Sequence, residues 1–148
     1  MFQLRPATQA DFPQIRDLIH SVKINPTGLD WRRFWVAVAS TNQIIGCGQI
    51  KPHSDGSHEL ASIAVAQSWR GQGVARALIT QLITEHPGTL YLTCRSSLGS
   101  LYQKFGFEVV DEKNLPPYFK RLHRIAGMFI KLRWIKERLL VMAIEKPL

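Results

Sequence analysis

The sequence lacks the features of several large protein classes. Its two cysteines, Cys47 and Cys94, are too few for a disulfide-stabilised scaffold and do not have metal-ligand spacing. Residues 1–10 contain no continuous apolar run like that of a signal peptide, and no apolar stretch elsewhere is long enough to cross a membrane. With 148 residues, 45% of them hydrophobic, the chain is predicted to form one soluble domain, 1–148, in the cytoplasm.

Positive charge is concentrated in one part of the chain. The formal net charge is +8, and eight of the 19 lysine and arginine residues lie in 113–138, where Glu137 is the only acidic residue. Apolar residues at helical spacing there predict an amphipathic helix that begins near Tyr118 and is interrupted at Gly127. Such a block favours an anionic partner, although a packed helix with a solvated cationic face is the simpler interpretation.

Hydrophobic periodicity predicts the other elements. Alternating or compact apolar runs predict strands over 2–5, 34–39, 44–50, 58–66, 89–94, 107–110 and 139–144. Apolar residues three and four apart predict one helix over 12–22, capped by Thr8 and Asp11, and another over 75–83. Gly46 and Gly48 indicate a bulge or a close backbone approach. Short turns between the early strands favour antiparallel pairing, so the fold class is α+β, or mixed α/β.

The most specific pattern is a strand, a glycine-containing loop and a helix start, in that order, over 64–78. The first turn of a helix offers backbone N–H groups and the positive end of the helix dipole. Glycine lets a phosphate approach the backbone closely, and Arg70 and Arg76 add positive charge. The loop has neither a Gly-Lys-Ser/Thr ending nor a Gly-x-Gly-x-x-Gly pattern. The pattern therefore predicts a pyrophosphate site of another kind.

Arg70-Gly71-Gln72-Gly73-Val74-Ala75 resembles the Gln/Arg-x-x-Gly-x-Gly/Ala signature of the GNAT N-acetyltransferase superfamily. One strand and one helix later, Leu101-Tyr102-Gln103-Lys104-Phe105-Gly106-Phe107-Glu108 resembles the second signature of that superfamily. The resemblance implies a GNAT-like acyl-CoA N-acyltransferase fold with a mostly antiparallel central sheet, a splayed strand pair and flanking helices. The basic segment, about 111–138, would be a helical insertion before the last strand.

The resemblance also implies roles for individual residues. The pyrophosphate of the co-substrate acetyl-CoA would be held by Arg70, Gly71, Gln72, Gly73, Val74, Ala75 and Arg76. Backbone groups of Ile63 and Val65 would contact the pantetheine arm, and the Val65 N–H would stabilise the negative carbonyl oxygen during attack. Tyr102 would protonate the departing thiolate. No metal is expected.

The group that accepts the amine proton is left open by the sequence. Glu59 is the best placed carboxylate, His53 and His58 are the next candidates, and a water chain is a further alternative. The expected activity is direct acetyl transfer from acetyl-CoA to a primary amine of a small metabolite, with an anionic acceptor favoured by the basic segment. A protein N-terminal or lysine acetyltransferase is one alternative. Another is a non-catalytic acetyl-CoA-binding module whose basic helix binds a partner or nucleic acid. For the enzyme we expect neither nucleic acid nor a membrane as a partner, and a homodimer is left open.

Overall fold

The computed structural model describes residues 1–132 and 137–145 of the chain. The strands within these ranges are β1 (Phe2–Pro6), β2 (Phe34–Ala39), β3 (Ile44–Pro52), β4 (His58–Val65), β5 (Leu90–Arg95), β6 (Glu108–Val109) and β7 (Leu139–Ile144). The α-helices are α1 (Phe12–Ser21), α2 (Val74–Glu85), α3 (Gly99–Gln103) and α4 (Pro117–Lys131). They divide between two compact units, one comprising 1–51 and 60–86 and the other 52–59 and the described residues from 87 onward.

In the first unit, two helices cover opposite faces of the strands. β1 pairs antiparallel with β2, and β2 pairs antiparallel with β3. Successive side chains of a strand point to opposite faces. Val36 therefore packs in a cluster with Ile15 of α1, whereas Ala37 packs in a cluster with Leu78 of α2. This alternation gives each face of β2 its own hydrophobic core.

Gly46 and Gly48 allow α2 to approach β3 closely, as one of the two sequence interpretations predicted. A Cβ on Gly46 would lie 2.6 Å from Cγ1 of Val74, and one on Gly48 would lie 2.9 Å from Cδ1 of Leu82. Real Cβ atoms do not approach so closely, and overpacking of this kind costs about 1–3 kcal/mol. The two glycines thus fix the depth at which α2 packs on the strand.

The predicted cap before α1 is present, and it contains an ion pair. The Asp11 carboxylate accepts a hydrogen bond from the Thr8 N–H at 2.7 Å and two from the Arg5 guanidinium, at 2.7 and 3.0 Å. The Arg5 hydrogen bond is the main reason why the pKa of Asp11 falls to about 2, and the bonds from Thr8 lower it further. Asp11 is 6% exposed, so the carboxylate depends on these partners.

We expect Asp11→Asn to lower the free energy of unfolding at pH 7 by about 1–2 kcal/mol, because it removes the carboxylate that Arg5 and Thr8 stabilise. The loss is smaller than for a fully buried ion pair because the Arg5 side chain is half-exposed. The pKa of Asp11 is lower in the folded state than its usual value of 3.8. Its contribution is therefore complete above about pH 4 and is lost as the pH falls toward about 2. Urea unfolding of both proteins between pH 2 and pH 7 measures this. A constant difference across that range would contradict the assignment.

The second unit contains three antiparallel strands and a helix packed on them. β7 pairs antiparallel with β5 and also with β6, so it lies between them. β4 begins in this unit, where Glu59 pairs in parallel with Tyr91 of β5. Phe119 of α4 is fully buried in a cluster with Leu115 and Val141. The described strands thus pair mostly antiparallel and the fold class is mixed α+β, as predicted.

α4 corrects one prediction, since the helix continues through Gly127 without interruption. A glycine inside a helix costs only about 1 kcal/mol relative to alanine, and the burial of Phe119 and Ala126 outweighs this cost. The predicted continuation of the basic segment over 133–136 lies outside the described residues. Within 1–132 and 137–145, no helix has the length and apolar character needed to span a membrane.

Candidate active site

The glycine loop of the first unit has the predicted geometry. β4 ends at Val65, a short 3-10 turn follows over Gln67–Trp69, and Gly73 caps α2. Gly71 and Gly73 have φ angles of +77° and +83°, which side chains adopt only with strain. Residues 70–73 are exposed, so their backbone faces solvent.

The loop fits a phosphate-bearing ligand. A Cβ on Gly71 or Gly73 would meet no atom within 4 Å, so the space beside both residues is open. The first turn of α2 contains no acidic residue, while Arg76 adds a cation to it. Helix N-termini of this kind bind anions through backbone N–H groups and the helix dipole. The loop residues, Arg70 to Arg76, therefore form a candidate pyrophosphate site.

β4 has an irregularity just before this loop. Ser62 has a φ of +60°, a left-handed conformation that is rare for a non-glycine residue. Its hydroxyl accepts a hydrogen bond of 2.8 Å from Nε2 of Gln49, a fully buried side chain. Ile63 and Val65 follow, and both are half-buried. Neither Gln49 nor Ser62 was predicted, because nothing in their local sequence indicates a left-handed residue inside a strand.

Tyr102, the predicted acid, lies on α3 in the second unit. Its ring meets the Phe107 ring edge to face, with 6.3 Å between centroids. Burial is the main reason why the pKa of Tyr102 is raised, and the Cys94 thiol adds to the rise only in its ionised form. The phenol is therefore protonated at neutral pH and is available as a proton donor.

Glu59 and His53, two of the predicted base candidates, are brought together in the second unit. The Nε2 atom of His53 lies 2.8 Å from Oε1 of Glu59. The side chains are 12% and 11% exposed, respectively. A carboxylate only accepts hydrogen bonds, so this bond requires the His53 tautomer that carries a proton on Nε2. This bond uses one of the two carboxylate oxygens.

Two residues that were not predicted as site residues, Tyr118 and Asp55, complete this cluster. The Tyr118 ring stacks on the His53 ring with 3.6 Å between centroids and 15° between planes. The Tyr118 N–H donates a hydrogen bond of 3.0 Å to Asp55 in the turn before β4. Tyr118 lies far along the chain from both, and no local sequence signal predicts such a contact.

The two thiols are not activated. Burial raises the pKa of Cys47 to about 12 and also raises the pKa of Cys94. Sγ of Cys94 lies 3.8 Å from Sδ of Met142 in the buried part of the second unit. This supports packing over a nucleophilic role. In the part of the chain that the structure describes, no group of three or more His, Cys, Asp or Glu residues could hold a metal ion.

The fold is that of an acyltransferase domain. A family model described as an acetyltransferase (GNAT) domain matches residues 30–109, more than half of the chain. The chain therefore belongs to the GNAT acetyltransferase family. No curated protein matches the sequence significantly.

Solved structures show the same fold at low sequence identity. N-acetylglutamate synthase from Neisseria gonorrhoeae, complexed with coenzyme A and N-acetyl-glutamate, has a TM-score of 0.74 and 18% identity over 99% of this chain. This chain spans only 36% of that protein. The ribosomal-protein-S18-alanine N-acetyltransferase from Escherichia coli has a TM-score of 0.71 and 19% identity, with 100% of this chain and 96% of that chain covered.

Proposed function

We propose that the protein transfers the acetyl group of acetyl-CoA to a primary amine of a small, anionic metabolite. The observation that carries the proposal is the exposed loop Gly71–Gly73 at the start of α2, with open space where side chains would lie. Membership of the GNAT acetyltransferase family supports it. Arg70 to Arg76 would bind the pyrophosphate, and the backbone of Ile63 and Val65 would bind the pantetheine arm.

The proposed reaction is one direct displacement. The neutral amine attacks the thioester carbonyl, a C–N bond forms, and the carbonyl oxygen becomes negative, which the Val65 N–H would stabilise. The C–S bond then breaks and coenzyme A leaves as a thiolate. Glu59 accepts the first proton, from the ammonium form of the acceptor before attack; the amide nitrogen loses a second proton to water as the product forms, and Tyr102 donates a proton to the thiolate. Acetyl-CoA and the ammonium thereby become amide, coenzyme A and one proton: Glu59 passes its proton to water, and Tyr102 regains one from water.

The anionic acceptor is supported by charge. α4 contains Lys120, Arg121, Arg124 and Lys131 and no acidic residue. Such a cationic helix favours a carboxylate or phosphate on the acceptor. A synthase with the same fold binds N-acetyl-glutamate together with coenzyme A. The alanine N-acetyltransferase of ribosomal protein S18 also has this fold, so a protein N-terminus is the second candidate acceptor.

Calorimetry with coenzyme A and acetyl-CoA, followed by assays of thiol release, tests the proposal. The acceptor panel contains glutamate, aspartate, arginine, spermidine and a peptide with a free N-terminus. We expect micromolar binding of both CoA species and the fastest release with the acidic amino acids. No heat at millimolar ligand would refute the donor assignment. Thiol release with the peptide alone would show that the acceptor is a protein N-terminus instead of a small metabolite.

Tyr102→Phe is expected to lower kcat about 10- to 100-fold with little change in acetyl-CoA affinity. The effect is moderate because a thiol has a pKa of about 8.5, below that of a phenol at about 10, so the thiolate leaves fairly well without help. In the wild type, deprotonation of Tyr102 should lower the rate at high pH, and the variant should not show this decline. Tyr91→Phe, which removes a phenol hydroxyl elsewhere in the second unit, is the matched control. Equal rates for both variants and the wild type would exclude Tyr102 as the acid.

A further inference from the structure

His53 and Glu59 flank a turn, yet their side chains form a pair that is largely buried. Glu59 is a carboxylate at the start of β4 with a side chain only 11% exposed. Burying an ionised carboxylate is costly unless it is hydrogen bonded. The His53 ring supplies that bond at 2.8 Å.

His53 is itself held on two sides by aromatic rings. Tyr118 stacks on it with 3.6 Å between centroids, and Phe119 meets it edge to face at 5.5 Å. Phe119 is fully buried and is also stacked on Tyr91 of β5. The imidazole therefore cannot rotate freely, and its Nε2 points at the carboxylate.

The turn and α4 are also joined through the backbone. Asp55 accepts a hydrogen bond from the Tyr118 N–H, and it accepts two more from Ser57, at 2.6 and 2.9 Å. These bonds lower the pKa of Asp55 to about 2, the Ser57 hydroxyl contributing most. Asp55 is thus ionised over the working pH range and fixes the residue that stacks on His53.

We propose that His53 is a positioning residue for acetyl transfer: its Nε2–H holds the Glu59 carboxylate in one orientation, and the Tyr118 ring holds the imidazole. The inference rests on the proposed function, in which Glu59 accepts the amine proton. The proton moves from the amine nitrogen to Glu59 and then to water, while His53 keeps its own.

Two substitutions of His53 separate hydrogen bonding from packing. His53→Phe keeps a ring between Tyr118 and Phe119 but removes the donor to Glu59. His53→Gln removes the ring but provides an N–H donor of similar reach. If the proposal is correct, His53→Phe lowers kcat about tenfold with little change in the KM for acetyl-CoA, because the carboxylate loses the bond that orients it. His53→Gln then stays within about threefold of wild type.

A purely structural role predicts the opposite pattern. His53→Phe would then resemble wild type, and His53→Gln would lose activity. That result would overturn the proposal. His20→Phe replaces an exposed histidine of α1 by phenylalanine; it is the matched control and should leave kcat unchanged.

A second measurement does not require turnover. In protein with 15N-labelled histidine, the Nε2–H signal of His53 is compared between the wild type and Glu59→Gln. Loss of the carboxylate acceptor should move the Nε2–H proton to lower chemical shift, and an unchanged signal would refute the pair. If the signal moves but no amine is acetylated, the proposed function fails while the pair stands. If acetylation occurs and His53→Phe matches wild type, the positioning role fails alone.

Discussion

Replacing Glu59 by glutamine is expected to lower kcat/KM about 10³-fold at pH 7, the largest effect of any single side chain in the proposed mechanism. A primary amine has a pKa of about 10, so only about one molecule in 10³ is neutral at pH 7. Removal of the base leaves this small fraction as the only nucleophile. Glutamine keeps the shape of the side chain, but its Nε2 or Oε1 cannot accept the proton.

The pH dependence separates this role from a packing role. As the pH rises toward about 9.5, free amine increases without help from the protein, and the deficit of Glu59→Gln should shrink to about tenfold or less. Glu112→Gln, at an exposed carboxylate of the same unit, is the matched control and should be silent. A deficit that stays constant from pH 7 to pH 9.5 would exclude proton acceptance by Glu59.

Gly73→Val is expected to weaken coenzyme A binding about 100-fold, which corresponds to about 2.7 kcal/mol. The φ of +83° at Gly73 is strained for a β-branched residue, and the new side chain would fill the open space beside the loop. Both effects act on the backbone that is proposed to contact the pyrophosphate. Calorimetry with coenzyme A measures the change directly.

Gly88→Val is the matched control for Gly73→Val. Gly88 has a φ of +87° and lies in the turn between α2 and β5, so it carries comparable backbone strain. Both variants should lose thermal stability to a similar extent, and only Gly73→Val should lose affinity. Equal affinity for the two variants would show that the loop does not bind the cofactor.

Elements with a strong local apolar signal were predictable from the sequence. β2 and β7 are runs of six apolar residues bounded by polar ones, and the structure places both at the predicted residues 34–39 and 139–144. α4 was predicted with a break because a glycine weakens a helix locally. The structure shows that the helix continues through Gly127 because Phe119 and Ala126 are buried, and this information is not local.

The candidate site was predictable only in part. The loop of the first unit is contiguous in sequence. The spacing of its residues was therefore sufficient to predict a glycine-containing loop followed by a helix start, which the structure contains. His53 and Glu59 were candidates because they flank one turn. Their partner Tyr118 was not, because the stack depends on how α4 packs in the second unit. His53 and Tyr118 lie too far apart along the chain for periodicity to indicate that they are in contact.

The strand order of the second unit has a consequence for biosynthesis. β7 is hydrogen bonded to β5 on one edge and to β6 on the other, yet it is the last of the three to leave the ribosome. Until residues 139–144 emerge, the nascent chain exposes two unpaired edges, and such edges promote association with other chains. Newly made copies should therefore depend on chaperones in the interval before β7 is released.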